Sequence, residues 1–218
     1  MTNSVPSSAA NTVPSTSLLS FVTVMTRKRP SPTRQDLPES AALSIIKNGP
    51  KSFKGRKLGV LVTDGADAKL FAALSTAVQK AGAVLEVVAP KVGGVTLSDE
   101  SALPAQQKID GGPSVLYDAV VLLLSEAGAA LLAKDAPTKD FVSDAFAHAK
   151  FIGYNEDALP LIDRAGIGEA DMDEGLILLE DAASATSFLG TCAKLRLWDR
   201  ELKVDLDAAG FLAAQAKG

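Results

Sequence analysis

The stretch Lys57-Leu-Gly-Val-Leu-Val-Thr63 is a short apolar run, typical of a strand that is buried on both faces of a parallel sheet. The dipeptide Asp64-Gly65 interrupts it, and segment 66–81 then repeats apolar side chains at spacings of three and four residues, which predicts an amphipathic helix. A second apolar run follows at 83–90. This order of strand, helix and strand predicts two parallel strands joined by a right-handed crossover.

Three further apolar runs predict the rest of the sheet. The most hydrophobic run, 118–125, is expected at its centre, with 150–154 and 175–180 as its next strands. Segment 91–114 interrupts the pattern and predicts a small hairpin or arm outside the sheet. Helices are expected at 128–134, 137–149, 156–165 and 181–200. The alternation is typical of an α/β fold, a three-layer, flavodoxin-like doubly wound parallel sheet with strand order 2-1-3-4-5.

The ends of the chain differ in composition from this central region. The first part is rich in Ser, Thr, Asn and Pro and has no acidic residue before Asp36, which predicts disorder. A segment with arginines, serines and no acids also resembles an organelle transit peptide, and that alternative stays open. The predicted organisation is a disordered tail at 1–37, a linker with a short helix at 38–54, a flavodoxin-like domain at 55–207 and a second tail at 208–218.

Composition limits the classes of partner. The 218-residue chain is 47% hydrophobic and 22% charged, with a net charge of −4 and one cysteine. Such a balance offers no basic face to nucleic acid, and no run approaches the roughly twenty apolar residues that span a bilayer. A single cysteine excludes an internal disulfide framework. We therefore expect a cytoplasmic globular protein that binds neither nucleic acid nor a membrane.

Ligands of doubly wound sheets bind beyond the carboxyl ends of the strands, which selects three loops here, 63–67, 125–129 and 154–157. The first loop offers the carboxylates of Asp64 and Asp67, which would repel a phosphate and which we expect to cap the following helix. No glycine pattern of a dinucleotide site or a P-loop occurs in the chain. The sequence therefore predicts no nucleotide or flavin cofactor.

The third loop, 154–157, stands where many α/β enzymes place a nucleophile. It holds Tyr154, Asn155, Glu156 and Asp157, so neither a cysteine, a serine nor a histidine occupies the turn. We therefore predict no catalytic residue at this corner.

The remaining reactive side chains are expected to be structural. His148, the single histidine, lies near a predicted helix end, which favours a surface or half-buried position. Cys192 lies on the apolar side of the last helix, where a free cysteine acts as a small hydrophobe. Asp171-Met-Asp-Glu174 predicts a solvated acidic loop, with a loose oxygen-ligand site as the alternative. One histidine and scattered carboxylates match no zinc spacing, so no metal site is predicted.

Three stretches, 53–67, 109–121 and 195–199, together resemble the C-terminal domain of large-subunit catalases. They carry a first-strand motif, an Asp110-Gly-Gly-Pro113 arm and the closing segment in the right order, and the resemblance covers roughly 38–207. That domain belongs to the wider group of DJ-1/PfpI and class I glutamine amidotransferase-like folds. The resemblance implies the same flavodoxin-like architecture.

In catalytic members of that group, the turn after the strand carries a cysteine, and the helix after the first strand supplies a glutamate. The resemblance places Tyr154 at the cysteine position and Leu70 at the glutamate position. A phenol with an ordinary pKa of about 10 is a poor substitute for a thiolate, and leucine cannot accept or share a proton. Both halves of that machinery are therefore absent.

The resemblance thus implies a non-catalytic accessory domain of large-subunit catalase type, without its own haem site, since haem binding belongs to a separate β-barrel of those enzymes. It would support stability or assembly in peroxide defence, with a chaperone-like role as a refinement, and its partner would be a second copy or a catalase core. One alternative is a DJ-1/PfpI-type hydrolase or glyoxalase-like enzyme with Glu156 or Asp157 as its base. Another is a small-molecule sensor whose cleft lies beside Asp64 and Ser125.

Overall fold

The computed structural model describes Pro38 and residues 40–200. Both predicted tails, 1–37 and 208–218, lie outside the described residues, as does 201–207. In chain order, the helices and strands are α1 (Ile45–Asn48), β1 (Lys57–Val62), α2 (Ala68–Ala81), β2 (Val84–Ala89), β3 (Val95–Thr96), β4 (Ala102–Leu103), β5 (Gln107–Lys108), β6 (Ala119–Leu123), α3 (Glu126–Leu132), α4 (Ala136–Ala147), β7 (Ile152–Tyr154), α5 (Leu159–Arg164), β8 (Leu176–Leu178) and α6 (Ala182–Cys192).

A six-stranded sheet forms the middle layer, in the order β5-β2-β1-β6-β7-β8. All its neighbouring strands are parallel, and Val60 of β1 lies opposite Val87 on one side and Val121 on the other. The α/β doubly wound fold is therefore confirmed, and the five predicted strands pair in the order 2-1-3-4-5. The central strands form continuous buried runs because helices cover both faces of the sheet.

The two faces of the sheet bury separate apolar clusters. On one face, Val60 and Val62 pack with Leu74 of α2 and Phe188 of α6. On the other face, the buried cluster draws side chains from α3, α4 and α5, including Leu61, Leu122, Phe141 and Leu161. Successive residues of β1 point to opposite faces, so one short strand contributes to both clusters.

The insertion between β2 and β6 differs in part from its prediction. The expected hairpin is present, since β3 and β4 pair antiparallel. The expectation that the whole segment lies outside the sheet is wrong, because Gln107 and Lys108 pair with Val88 and Ala89 as an edge strand. The preceding Gln106 fixes this edge, because its side-chain oxygen accepts a hydrogen bond from the Val87 amide at 2.7 Å. The sequence did not reveal this strand, because its residues are polar and lack the apolar run by which buried strands are predicted.

The closing helix is shorter than predicted. It ends at Cys192, and Leu195 adopts a left-handed conformation with φ +66° that turns the chain. The Leu197 amide then donates to the Ala149 carbonyl at 2.8 Å, and a short 3-10 turn follows at Trp198–Arg200. The expectation of a continuous helix over 181–200 is therefore wrong. The last eight residues of that range leave the helix and pack against the segment that leads into β7.

Two other helices also have shorter bounds than expected. The corner after β7 begins with a 3-10 turn at Glu156–Ala158, and α5 follows it. The short helix expected within 38–54 is the single turn α1, which Ser44 caps by accepting from the Lys47 amide. Within the described part of the chain, no helix has the length and apolar character needed to cross a membrane.

Candidate functional site

The loops that follow β1, β6 and β7 come together at the carboxyl edge of the sheet. Gly65, Leu70, Ser125, Asn155 and Glu156 are among the residues that line a cleft of about 390 Å³ there. We call this cleft the carboxyl-edge cleft. Its position is the one expected for ligands of a doubly wound sheet, so its chemistry decides which activity the fold can support.

Asp67 has the structural role that the sequence predicts. Its carboxylate accepts hydrogen bonds from the amides of Lys69 at 2.7 Å and Leu70 at 3.1 Å, and it thereby caps α2. At the other end of α2, Gly82 adopts φ +66° and closes the helix in the left-handed conformation. The capping prediction for Asp67 is confirmed.

Asp64 has a different partner from the one predicted. Its carboxylate accepts from the Thr96 amide at 2.9 Å and forms an ion pair with Lys91 at 2.6 Å. The hydrogen bond from Lys91, and then that from Thr96, hold the pKa of Asp64 below its ordinary value. Asp64 therefore fastens the β3–β4 hairpin over the first loop, and the expectation that it caps α2 is wrong.

Ser125 ties the first two loops together. Its amide donates to the Thr63 hydroxyl at 2.9 Å, and its hydroxyl donates to the Asp64 carbonyl at 2.6 Å. The same hydroxyl accepts from the Gly128 amide at 3.2 Å, which caps α3. A Cβ on Gly128 would lie 2.2 Å from the Thr63 hydroxyl oxygen, so this contact requires glycine. The Ser125 hydroxyl is thus used in structural hydrogen bonds. It also has no histidine beside it to act as a base, because His148, the single histidine of the chain, lies near the opposite edge of the sheet.

The corner after β7 has a relaxed backbone. Asn155 has φ −91° and ψ 161°, which is extended. The non-glycine residues with positive φ in the described part of the chain are Glu100, Ala149 and Leu195, all outside this corner. A nucleophile elbow is a sharp, strained turn that lifts its reactive atom toward the substrate. The backbone here therefore lacks the elbow geometry, in addition to lacking the nucleophile.

Asn155 clamps this corner to the neighbouring strand. The Leu124 amide donates to its side-chain oxygen at 2.9 Å, and its side-chain nitrogen donates to the Leu124 carbonyl at 2.7 Å. Two backbone groups at the end of β6 are satisfied in this way. Sequence reasoning assigned no role to Asn155, because its partner lies 31 positions earlier in the chain.

Tyr154 and Leu70, which the resemblance places at the positions of the cysteine and the glutamate, lie in different apolar clusters. Tyr154 is 8% exposed and packs with the cluster of α3, α4 and α5, and burial raises the pKa of its phenol. Leu70 is buried in the cluster of α2 and α6. A buried phenol with a raised pKa is a weaker nucleophile at neutral pH than a free one.

The acidic candidates face the carboxyl-edge cleft. Glu156 and Asp157 are exposed there, and Asp67 and Glu180 also line it. The Asn155 side-chain nitrogen lies 3.4 Å from Asp157 Oδ2. This concentration of carboxylates disfavours phosphates and other anions as ligands of the cleft.

Two predicted structural residues lie where expected. His148 is exposed at the end of α4. Cys192 is fully buried in α6, and burial raises the pKa of its thiol above the ordinary value. A buried thiol with a raised pKa is inert, so Cys192 acts as a small hydrophobe. Among the residues that the structure describes, no group of three His, Cys, Asp or Glu side chains is placed to hold a metal ion.

The acidic loop after α5 is not simply solvated. Asp171 accepts from the Gly168 amide at 3.1 Å. The Asp173 side chain is only 7% exposed, and its two carboxylate oxygens accept hydrogen bonds from Arg200 Nε at 2.8 Å and Arg200 Nη2 at 2.7 Å. The prediction of a solvated loop is therefore wrong for Asp173. Gly175 leaves room for this pair, since a Cβ there would meet Arg200 Nη2 at 2.3 Å.

Arg200 is the largest structural feature that sequence reasoning missed. It is 1% exposed, and besides Asp173 it donates to the carbonyls of Phe146 and Lys150 at 3.2 Å and 2.9 Å. Its guanidinium also stacks over the Phe146 ring at 4.1 Å. In the sequence, Arg200 stands only at the end of the helix predicted over 181–200, and nothing there indicates that it is buried. It anchors the closing segment to the amino edge of the sheet.

Comparison with known proteins gives a family match. The family described as the C-terminal domain found in long catalases matches residues 54–201. Catalase C of Rhizobium meliloti is 59% identical over 174 residues, which are 80% of this chain and 24% of that protein. Catalase HPII of Mycobacterium avium is 31% identical over 190 residues, 78% of this chain and 27% of that protein. The chain spans about a quarter of the length of the curated relatives it matches.

Solved structures support the same fold. Drosophila melanogaster DJ-1beta matches with a TM-score of 0.55 and 16% identity, over 72% of this chain and 98% of that one. Schizosaccharomyces pombe DJ-1 matches with a TM-score of 0.53 and 16% identity, over 68% and 96% of the two chains. At such identities the likeness concerns the fold alone, and it agrees with the predicted DJ-1/PfpI architecture.

Proposed function

The chain belongs to the family of C-terminal domains found in long catalases, and we propose that it is a non-catalytic accessory domain that supports the stability or assembly of a catalase-type partner in peroxide defence. The observation that carries this proposal is the corner after β7. There the backbone at Asn155 is extended, and the Asn155 side chain is hydrogen-bonded to the backbone of Leu124. Such a corner holds the structure together and presents no reactive atom.

The other two loops support the same role. The hydroxyl of Ser125 and the carboxylates of Asp64 and Asp67 are bound to neighbouring backbone or to Lys91. Catalytic sites instead hold donors and acceptors ready for the substrate. The alternative DJ-1/PfpI-type enzyme would have only the exposed Glu156 or Asp157 as a base, with no nucleophile activated beside them.

A surface for packing against a partner lies around α1. Leu43, Ile45 and Ile46 are exposed, and two grooves of about 460 Å³ and 490 Å³ run between α1 and the closing segment that contains Trp198. Exposed apolar side chains clustered beside grooves are typical of protein contacts. We propose the catalase core as the occupant, a second copy being the other outcome of the test, and a cytoplasmic location for the complex.

The first experiment measures peroxide decomposition and the haem Soret band of the purified 218-residue protein. We expect neither activity nor a haem band, because peroxide chemistry would belong to the haem-binding part of a long catalase. Substantial turnover, or stoichiometric haem, would overturn the proposal.

The second experiment mixes the protein with a long catalase from which the C-terminal domain has been removed. We expect a complex by light scattering and a raised melting temperature of the catalase core. Ile46→Glu should weaken the complex, whereas Val92→Glu, a control at a more exposed apolar position outside the grooves, should not. Absence of both complex and stabilisation would contradict the role.

The chaperone-like refinement has its own test. The protein should suppress the aggregation of a heat-denatured client more than an equally acidic inert protein does. Equal suppression by the two proteins would remove the refinement and leave the accessory role intact.

A further inference from the structure

A second cleft, of about 370 Å³, lies at the amino edge of the sheet. His148, Lys150, Arg196 and Trp198 line it together with Val115 and two alanines. We call it the amino-edge cleft. Its charged and titratable lining groups are all cationic types, and no carboxylate is among the lining residues. The cleft thus differs in charge from the chain as a whole, whose net charge is −4, and its lining favours a negatively charged ligand.

The side chains of Lys150 and Arg196 in this cleft donate hydrogen bonds to backbone carbonyls. Lys150 is 2% exposed, and its ammonium donates to the Ser114 carbonyl. Arg196 donates to the carbonyls of Asp118 and Leu195, at 3.0 Å and 2.7 Å. Within residues 40–200, neither cation has a carboxylate at ion-pair distance. Their charges are therefore not neutralised by direct contact in this part of the chain.

The Asp118 carboxylate at this edge is already bonded to other groups. Asp118 accepts from Arg56 at 3.3 Å and from the Lys57 amide at 3.0 Å. The buried Ser114 hydroxyl, beside the carbonyl that Lys150 binds, has no hydrogen-bond partner among the described residues. The amino edge thus combines unneutralised positive charge with an unsatisfied polar group, whereas at the carboxyl edge Ser125, Asp64 and Asn155 are bonded and the exposed groups are acidic.

Burial and the neighbouring positive charge both lower the pKa of Lys150. Burial is the main cause that lowers the pKa of Lys150 to about 8, and repulsion from Arg196 adds to it. The charges of Asp118 and Asp144 act in the opposite direction and do not restore the ordinary value. An anion bound between Lys150 and Arg196 would relieve this repulsion, since an opposite charge favours the protonated amine.

We propose that the amino-edge cleft binds a small organic anion, a carboxylate or phosphate group on an apolar body. Lys150 and Arg196 hold the anionic group, because charge-assisted hydrogen bonds from ammonium and guanidinium are the strongest available for it. The partly exposed side chains of Trp198 and Val115 supply the apolar wall. A volume of about 370 Å³ is near the lower end of the range for small-molecule sites, which suits a compact ligand.

The chain contains two natural reporters of this cleft. It has one tryptophan and one histidine, and both Trp198 and His148 line the cleft. Trp198 fluorescence and the His148 imidazole Hε1 resonance can therefore be assigned without mutagenesis. A ligand that enters the cleft should change both signals with the same binding curve.

The test titrates the full chain with cyclohexanecarboxylate, with its neutral isostere cyclohexanecarboxamide and with inorganic phosphate. We expect a saturable change of both reporters with the carboxylate and none with the carboxamide. Inorganic phosphate, which has no apolar body, tests whether the apolar wall contributes to binding. A higher affinity for phosphate than for cyclohexanecarboxylate would contradict the apolar part of the proposal. No saturable response to any anion up to about 10 mM would overturn the site, because that range includes very weak ligands.

Variants assign the binding to the two cations. Arg196→Gln should weaken carboxylate binding about tenfold, the factor expected for losing one charge-assisted hydrogen bond. Arg164→Gln, at an exposed position of α5, is the matched control and should bind as the wild type does. Lys150→Met removes the second cation with little change of volume. Unchanged affinity in a folded Arg196→Gln protein would overturn the assignment, whether or not the Lys150 variant folds.

Discussion

The two edges of the same parallel sheet differ in how their polar groups are used. At the carboxyl edge, Ser125, Asp64 and Asn155 are bonded to nearby backbone, and the exposed groups are acidic. At the amino edge, Lys150 and Arg196 bring positive charge to a cleft without a carboxylate among its lining residues. The edge at which this fold ordinarily binds ligands is thus used for structure, and the opposite edge has the unneutralised chemistry. Function follows from the site that a chain builds on its fold.

The largest expected effect concerns the buried ion pair that anchors the amino edge. Arg200→Met removes a buried guanidinium from the Asp173 carboxylate and from the carbonyls of Phe146 and Lys150, so the free energy of unfolding should fall by about 3–5 kcal/mol. Urea denaturation measures the loss, and Arg164→Met is the exposed control. The double variant Arg200→Met/Asp173→Asn should recover part of the loss, because neither charge of this pair then remains buried. A loss below about 1 kcal/mol for Arg200→Met would show that the pair does not anchor this edge.

A smaller effect concerns the pH dependence of stability. Because the pKa of Lys150 is about 8 in the folded protein and 10.5 is its ordinary value, the unfolded chain binds more protons between these pH values. The free energy of unfolding should therefore rise with pH across this window, by on the order of 2 kcal/mol. Lys150→Met should remove this part of the rise, and saturating cyclohexanecarboxylate should reduce it in the wild type. A wild-type curve parallel to that of Lys150→Met would contradict the prediction.

The smallest effect concerns the clamp at the carboxyl edge. Asn155→Ala should lower the free energy of unfolding by about 1–2 kcal/mol, because the amide and carbonyl of Leu124 lose their partner. Asn48→Ala is the matched control, since Asn48 also binds backbone carbonyls, of Ala41 and Ala42, but in an exposed segment where water replaces it. If both variants lost the same free energy of unfolding, burial of the corner after β7 would not add to the contribution of Asn155. Carboxylate binding at the amino-edge cleft should be unchanged by Asn155→Ala.

The contrast between Asp67 and Asp64 shows how far local reasoning reaches. Asp67 caps the helix that begins at the next residue, so its partners are close in sequence and its role was predictable. Asp64 looks equivalent in sequence, yet its amide partner, Thr96, is 32 positions away in a hairpin. The role of a short polar side chain is predictable when its partner lies within one turn of a helix, and unpredictable when the partner comes from a separate element.

The same distinction separates the fold from the candidate sites. The buried strands β1 and β6 and the helix α2 were predictable, because burial leaves apolar runs and helical spacing in the sequence. The edge strand at Gln107–Lys108 was missed, because its residues are polar and its stability comes from pairing with β2. The absence of a nucleophile at 154–157 was visible in the sequence, whereas the relaxed backbone of that corner was visible only in the structure.

The sequence by itself determined the alternation of strands and helices, the strand order expected from the flavodoxin-like pattern, and the residue types at the corner after β7. These properties depend on the periodicity of apolar residues and on the chemistry of single side chains. Only the tertiary structure decided that Arg200 is buried on Asp173, that Asn155 closes the β6 end and that Lys150 and Arg196 share one cleft. The physical reason is that charged and polar residues resemble surface residues in a sequence, and their burial depends on partners that folding brings from 27 to 78 positions away.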